Sequence, residues 1–354
     1  MSKIIHRMQL PREVVVGRGS IEFIGPICRG LGFTKRVLLI TGEVTFEVAG
    51  SAIKERLEGE GIKVEEHIIT SNTPTIHDVK VCEEKIVRFR PQVVLGVGGG
   101  AKIDIAKLSS ANRRIPFISV PTTASHDGIS SPFASLKGLG KPYSVMAQSP
   151  IAVIADTEII SRAPYRLIAG GCGDIIAKFT SVRDWRLAHE RKGEYYAQYT
   201  ASMSLMSAQH LIENSHLIRP NSEEGLRVIL ESLISCGIAM AIAGSSRPCS
   251  GSEHLFSHAL DLIAPKPALH GEQCGIGTIM MAFLHGLDWE MIRDNLKRIG
   301  APTTADEVGI EPRCIVEALV IAPRIRPERY TILHEKPLSH EEALALAKET
   351  GVIE

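Results

Sequence analysis

Three histidines fall within "GSEHLFSHALDLIAPKPALHG" (251–271), an otherwise largely apolar stretch: His254, His258 and His270. Imidazole is the commonest protein ligand for a metal ion, and it also titrates near neutral pH. His254 and His258 are four residues apart, so both rings sit on one face of a helix with Cβ atoms ~5–6 Å apart. His270 follows Pro265 and Pro267, a break that can fold the next segment back toward the same helix. A lone core histidine satisfies a backbone group and binds nothing, but three so close together favour a shared ion. Spacing alone leaves the ligands open, with His254 and His258 the simplest pair. Upstream, "IAGGCGDIIAKFTSVRDW" (168–185) carries Asp174 behind three glycines. There the simplest expectation is a charge at a helix N-terminus, favoured by the macrodipole. One carboxylate with two imidazoles and an open position suits a catalytic divalent ion. The lack of accompanying thiolates argues against a structural zinc site.

A second constellation suits phosphate. "LGVGGGAKIDIAK" (95–107) follows an apolar strand and opens a helix. Glycines there let backbone N–H groups approach an anion, and the helix N-terminus adds partial positive charge. The pattern is not G-x-G-x-x-G, and its bland alternative is a tight turn that needs glycine. The next strand runs into "SVPTTASHDGISSP" (119–132), a hydroxyl-rich loop at the same end of the sheet, where open α/β sheets bind ligands. Thr122, Thr123, Ser125 and Ser131 suit ribose or pyrophosphate, and Asp127 is a carboxylate aimed at a polar ligand. Glu43, in "ITGEVT", is placed to accept bonds from the adenosine ribose, which leans toward NAD because it would repel a 2′-phosphate.

These residues need a scaffold. Short apolar runs at 36–42, 62–70, 92–100, 115–124 and 149–160 alternate with helical spacing, with Thr75 and Asp78 opening one helix. Strict alternation means βαβ units and a parallel sheet, and strands buried on both faces read as continuous apolar runs. After residue 162 the strand-like runs stop. Ser161 and Pro164 introduce the first helix of that half, Asn221 with Glu224 opens a long one, and Ser339 with Glu342 opens the last. The expectation is an α/β Rossmann-like parallel-sheet domain over residues 1–162 and an all-α domain over 163–354, with the active site in the cleft between them.

Composition excludes other classes. Forty basic residues balance forty acidic ones, so no field draws the chain to nucleic acid or an anionic membrane. The segment 232–244 is too short to span a bilayer, and the N-terminus is interrupted by charge before any signal-peptide core forms. Seven scattered cysteines without a C-x-x-C pair point to a reducing cytoplasm.

Taken together, "GVGGGAKIDIAK", "PTTASHDGISSP", "GGCGDIIAK", "GSEHLFSHALD", "ALHGEQCGIG" and "RPERYTIL" resemble the sn-glycerol-1-phosphate dehydrogenase family. That family lies within the glycerol dehydrogenase and dehydroquinate synthase-like superfamily. The resemblance implies that Gly98, Gly99, Gly100, Ala101, Lys102, Ile103 and Asp104 hold the pyrophosphate of NAD or NADP, with Thr122, Thr123 and Ser131 adding contacts. It implies one Zn2+ per subunit, or another divalent metal, on Asp174, His254 and His270. His258 then becomes a substrate-side residue with Asp127 and Asp174, against the simplest reading of the spacing. The implied reaction interconverts dihydroxyacetone phosphate and sn-glycerol 1-phosphate, the backbone of archaeal-type membrane lipids, with His258 a candidate for the proton. A metal-dependent polyol dehydrogenase and a dehydroquinate synthase-like lyase are the alternatives. Lys178, Arg183 and His126 are the cations weighed for the substrate phosphate, and a homo-oligomer is expected.

Overall fold

The computed structural model describes residues 8–71, 73–136 and 143–354. Its centre is a six-stranded parallel sheet: β1 (Glu13–Gly17), β2 (Arg36–Thr41), β3 (Lys63–Ile68), β4 (Val93–Gly98), β5 (Phe117–Pro121) and β8 (Ala152–Asp156). The spatial order is β1-β8-β5-β4-β2-β3. Side chains alternate along each strand, so β2 sends Val37 and Leu39 to one face and Leu38 and Ile40 to the other, each into its own core. That two-sided burial is why the strands read as unbroken apolar runs.

From β2 the chain goes outward to β3, then returns to the opposite side of β2 as β4. The loops after β2 and β4 therefore diverge at the carboxyl end of the sheet, opening the crevice where such folds bind ligands. β1 was not expected. It is a sheet-edge strand that pairs with β8 alone, and only partly buried. Also unexpected was an antiparallel pair, β6 (Phe133–Leu136) with β7 (Tyr143–Met146).

Two boundaries differ from the sequence expectation. The 149–160 run stops being a strand at Asp156. That carboxylate accepts the Glu158 N–H at 3.0 Å, opening a Thr157–Ser161 helix, and also the Gly19 and Ile21 N–H groups at 3.2 and 3.1 Å. Ser222, not Asn221, caps the Glu223–Ala243 helix, because its hydroxyl accepts the Gly225 N–H at 3.0 Å while Asn221 adopts a left-handed φ of 61°. Thr75 and Ser339 cap their helices as expected.

Beyond Asp156 every regular element among the described residues is helical. The Glu223–Ala243 helix has 21 residues, so it is longer than the apolar stretch read at 232–244 and is long and apolar enough to cross a membrane. Here 72% of its most apolar window is buried inside the protein, where it packs as a core helix. One apolar core runs from Leu38 and Val94 in the sheet to Leu255, Met280 and Leu333 in the helices, so the two halves are packed as one body.

Candidate active site

The helix carrying the histidines, Ser252–Ile263, starts where it does because of Asp184. That fully buried carboxylate, on the Lys178–Lys192 helix, accepts the Ser252 N–H and hydroxyl at 2.6 Å each. His270 opens the His270–Leu284 helix. Glu272 fixes that start by accepting the Leu269 N–H at 3.0 Å and forking with Arg166 at 2.5 and 2.7 Å. The His270 ring centroid lies 5.0 Å from that of His254 and 6.1 Å from that of His258.

Asp174 does not begin a helix, contrary to the expectation from its glycines. It lies near the end of the Tyr165–Ile176 helix. Its glycines serve close packing instead: a Cβ on Gly171 would sit 2.0 Å from the Ala124 carbonyl oxygen, and one on Gly173 would sit 2.2 Å from that of Gly271. Backbone contact on both sides brings Asp174 to the loop after β5 and to the helix of His270.

His254 Nε2 faces Asp174 Oδ1 at 3.5 Å, and its Nδ1 lies 2.8 Å from Glu253 Oε1. Glu253 is fully buried and also accepts the Gly251 N–H at 2.6 Å and the Thr180 hydroxyl at 2.7 Å. A carboxylate on Nδ1 fixes the tautomer that leaves Nε2 as the lone-pair donor, the usual arrangement behind a metal-bound histidine. His270 Nδ1 lies 3.2 Å from Ser257 Oγ, a hydroxyl that can serve either tautomer. Sequence reasoning missed Glu253 and also Cys274, although a cysteine four residues beyond His270 on one helix was a visible signal.

The donor atoms of His254, His270 and Cys274 all lie within 4.8 Å of one another. Cys274 Sγ is, however, 3.6 Å from His270 Nε2 and 3.9 Å from Nδ1. Such near-equal distances put the sulfur against the flank of the ring, off the Nε2 lone-pair axis. It packs on the imidazole, while Asp174 Oδ1 lies 3.5 Å from His254 Nε2 and Oδ2 accepts the Asp127 N–H at 2.8 Å. Burial opposes charge on His254, yet Cys274 and bonds to Asp174, Cys274 and Glu253 outweigh it and hold the imidazole well above its ordinary pKa. Burial likewise opposes ionisation of Asp174, but Lys178, His254 and His270 hold its carboxyl well below the usual range. The raised imidazole reports the negative surroundings that a cation site needs, whereas the lowered acid reports the cations already beside it, Lys178 first.

A cavity of about 580 Å³ lies between these helices and the carboxyl end of the sheet, a size that suits a cofactor or small substrate. Gly99, Gly100, Ala101, Lys102, Asp104, Thr122, Thr123, Ser125 and Ser131 line it, as do Asp127, His254, His258 and His270. Gly98 and Ile103 are buried behind its wall, and Glu43 is exposed beside it, first in a short helix after β2. Gly100 is needed for space, because a Cβ there would lie 1.8 Å from His126 Nε2.

Several polar groups are already committed. Asp104 accepts Lys107 Nζ at 3.0 Å and the Ser135 N–H at 2.9 Å, which ties β6 to the glycine-turn helix. Lys102 Nζ donates to the Ser71 carbonyl. Thr123 and Ser125 pair at 3.2 Å, and Ser131 bonds within its own turn. Thr122 Oγ1 and His258 Nδ1 are buried without partners, and Asp127 Oδ2 lacks an aligned hydrogen bond. Asp127 Oδ2 is ion-paired instead, which leaves two orphaned atoms on cavity-lining residues for a polar ligand to complete.

Lys178, fully buried, gives its ammonium to the Asp174 carbonyl (2.6 Å), Asp174 Oδ1 (2.8 Å) and Asp127 Oδ2 (2.9 Å). It lies behind the cavity wall and orients both acids. Arg183 is exposed and lies off the cavity, and His126 Nδ1 accepts the Gly128 N–H at 2.8 Å.

Comparison with known proteins agrees with this arrangement. Residues 15–164 match the family model for iron-containing alcohol dehydrogenase. Glycerol-1-phosphate dehydrogenase (NAD(P)+) of Methanothermobacter thermautotrophicus is 54% identical over 98% of this chain and 99% of its own. The protein of the same name from Thermococcus kodakarensis is 52% identical over 100% of both chains. Among solved structures, glycerol dehydrogenase from Schizosaccharomyces pombe superposes with a TM-score of 0.81 at 18% identity, covering 98% of this chain and 90% of that one, which shows a shared fold. Full-length identity above one half, on a fold whose cleft gathers the histidines, Asp174 and the glycine turn, makes this chain a member of the glycerol-1-phosphate dehydrogenase (NAD(P)+) family of oxidoreductases.

Proposed function

We propose that the chain interconverts dihydroxyacetone phosphate and sn-glycerol 1-phosphate with NAD(P)H, using a zinc ion held by Asp174, His254 and His270. One observation carries the metal assignment: a buried and a partly buried imidazole, each with Nδ1 occupied by a partner, stand 5.0 Å apart beside a cofactor-sized cavity, and His254 Nε2 faces the buried Asp174 carboxylate at 3.5 Å. An all N/O donor set of two histidines and one acid is that of a catalytic divalent site. When bound, such an ion is a Lewis acid toward the C2 oxygen, and the nicotinamide exchanges a hydride at C2.

The chain's own residues do the rest. The Gly98–Asp104 turn offers its first-turn N–H groups to the pyrophosphate, and Thr122 Oγ1, Thr123, Ser125, Ser131 and Glu43 are the further cofactor contacts. Asp127, held by Lys178, faces the substrate hydroxyls. Burial, then His270, His254, Arg326 and Arg329, hold His258 well below its ordinary pKa, so it is neutral. Its orphaned Nδ1 is the atom to accept the hydroxyl proton during oxidation and to return it during reduction. The seven free, buried thiols support a reducing cytoplasmic setting.

The test is dihydroxyacetone phosphate with NADH or NADPH, followed at the nicotinamide absorbance, with the product's chirality determined. Turnover to sn-glycerol 1-phosphate supports the assignment. Turnover of unphosphorylated polyols alone, or carbon chemistry without net NADH consumption, overturns it in favour of a polyol dehydrogenase or a lyase.

A further inference from the structure

A phosphate monoester bound beside the histidines needs cations and O–H or N–H donors aimed at it. Among the described residues that line the cavity, the lysine is Lys102 and the arginine is Arg326. Lys102 is at the glycine-turn end, with its ammonium on the Ser71 carbonyl. Arg326 comes from the helical half. It follows the Pro312–Ile325 helix and spends Nε on Glu328 at 2.9 Å, while its two terminal nitrogens have no partner among the described residues.

The wall around Arg326 is built for an anion. Arg329 is buried and donates to the Ser250 carbonyl at 2.5 Å and to Ser246 Oγ at 2.6 Å, both neutral oxygens. The neighbouring Arg247 is neutralised by a fork with Glu194, but Arg329 has no carboxylate bonded to it. Burial, with Arg326 and Arg247, weighs against the charge of Arg329, although Glu194 and Glu253 lie near enough to act on it without bonding it, so a further anion close by is favoured. Ser246 Oγ, because it accepts from Arg329, is left with its own proton to donate, and Ser246 and Ser250 both line the cavity.

We propose that Arg326, Ser246 and Ser250 form the subsite for the substrate's phosphate, with Arg329 behind them positioning the 246–250 loop. This rests on the proposed function, since it assigns the phosphate end of the same substrate. The terminal nitrogens of Arg326 meet two phosphate oxygens in a fork, a geometry lysine cannot reproduce. Ser246 donates to the third oxygen. The reacting carbonyl then points toward His258 and the metal donors.

The test compares zinc-loaded wild type with Arg326→Gln, Arg326→Lys and Ser246→Ala. Three readouts are taken: the ratio of kcat/KM for dihydroxyacetone phosphate over dihydroxyacetone, the Ki of inorganic phosphate, and the melting temperature. Arg326→Gln is expected to lower the ratio and raise the Ki by about 10- to 100-fold each, the loss of a charge-assisted pair. Arg326→Lys restores part of each, and Ser246→Ala gives a smaller loss of the same kind. A folded Arg326→Gln protein with unchanged ratio and Ki overturns the subsite, even if wild type prefers the phosphorylated ketone. A wild type with no such preference overturns the functional reading itself.

Discussion

Replacing Glu253 by Gln isolates what the buried carboxylate does for the metal donors. The side chains are isosteric. The Gln oxygen can still accept from the Gly251 N–H and from His254 Nδ1, now 2.6 and 2.8 Å from Glu253 Oε1, and its amide can donate to Thr180 Oγ1, now 2.7 Å from Oε2. The fold therefore keeps its bonds, and the change is the loss of one negative charge behind the His254 ring. Bonds to an ionised acceptor are roughly twice as strong as neutral ones, and removing such a partner behind a ligating histidine lowers metal affinity by about 10- to 100-fold, or about 1.4–2.8 kcal/mol. Chelator competition with zinc at pH 7.5 reads this directly, and melting of the metal-stripped proteins controls for folding. The expected outcome is a weaker zinc Kd with a stripped-protein melting temperature close to wild type. An unchanged zinc Kd in the folded variant would refute the reasoning and remove the ground for taking His254 Nε2 as a donor.

His254→Ala should abolish bound zinc and turnover together while NADH still binds by fluorescence titration, because the glycine turn belongs to a different element; retained zinc and activity would contradict this. Zinc affinity should climb with pH. Without an ion, His254 and His270 both have raised pKa values, burial being outweighed by Cys274 and other partners, so each must lose a proton to bind metal. The gain is steepest below those raised values and levels off above them, and chelator competition between pH 6 and 9 that gave a flat or falling curve would refute it. Gly171→Ala should lower the melting temperature: its Cβ meets the Ala124 carbonyl at 2.0 Å, an overlap with backbone that costs about 1–3 kcal/mol or more.

What the sequence reveals and what it conceals follow from how local each signal is. The strands β2, β4, β5 and β8 are legible because burial on both faces writes an unbroken apolar run. β1 escapes because it is a short, partly buried edge strand, and β6 because it follows a hydroxyl-rich loop. The pair His254 and His258 is local and was seen, yet the partners that define their roles are not. Asp174 reaches His254 only through tertiary contact, and nothing in the chain order places Arg326 on the same cavity as the glycine turn. Lys178 shows the limit most sharply. It is four residues from Asp174, a helical spacing open to inspection, but a lysine in sequence is by default a surface charge. Only packing shows it fully buried between two acids. Glycine misleads in the opposite direction. "GGCG" reads as a loop, because glycine's freedom usually serves turns, whereas here Gly171 and Gly173 sit inside a helix for their lack of a side chain. That second use depends on what lies across the contact. It follows that the same glycines which obscured the helix are what bring Asp174 within 3.5 Å of His254, so enlarging them should disturb the metal donors as well as the fold.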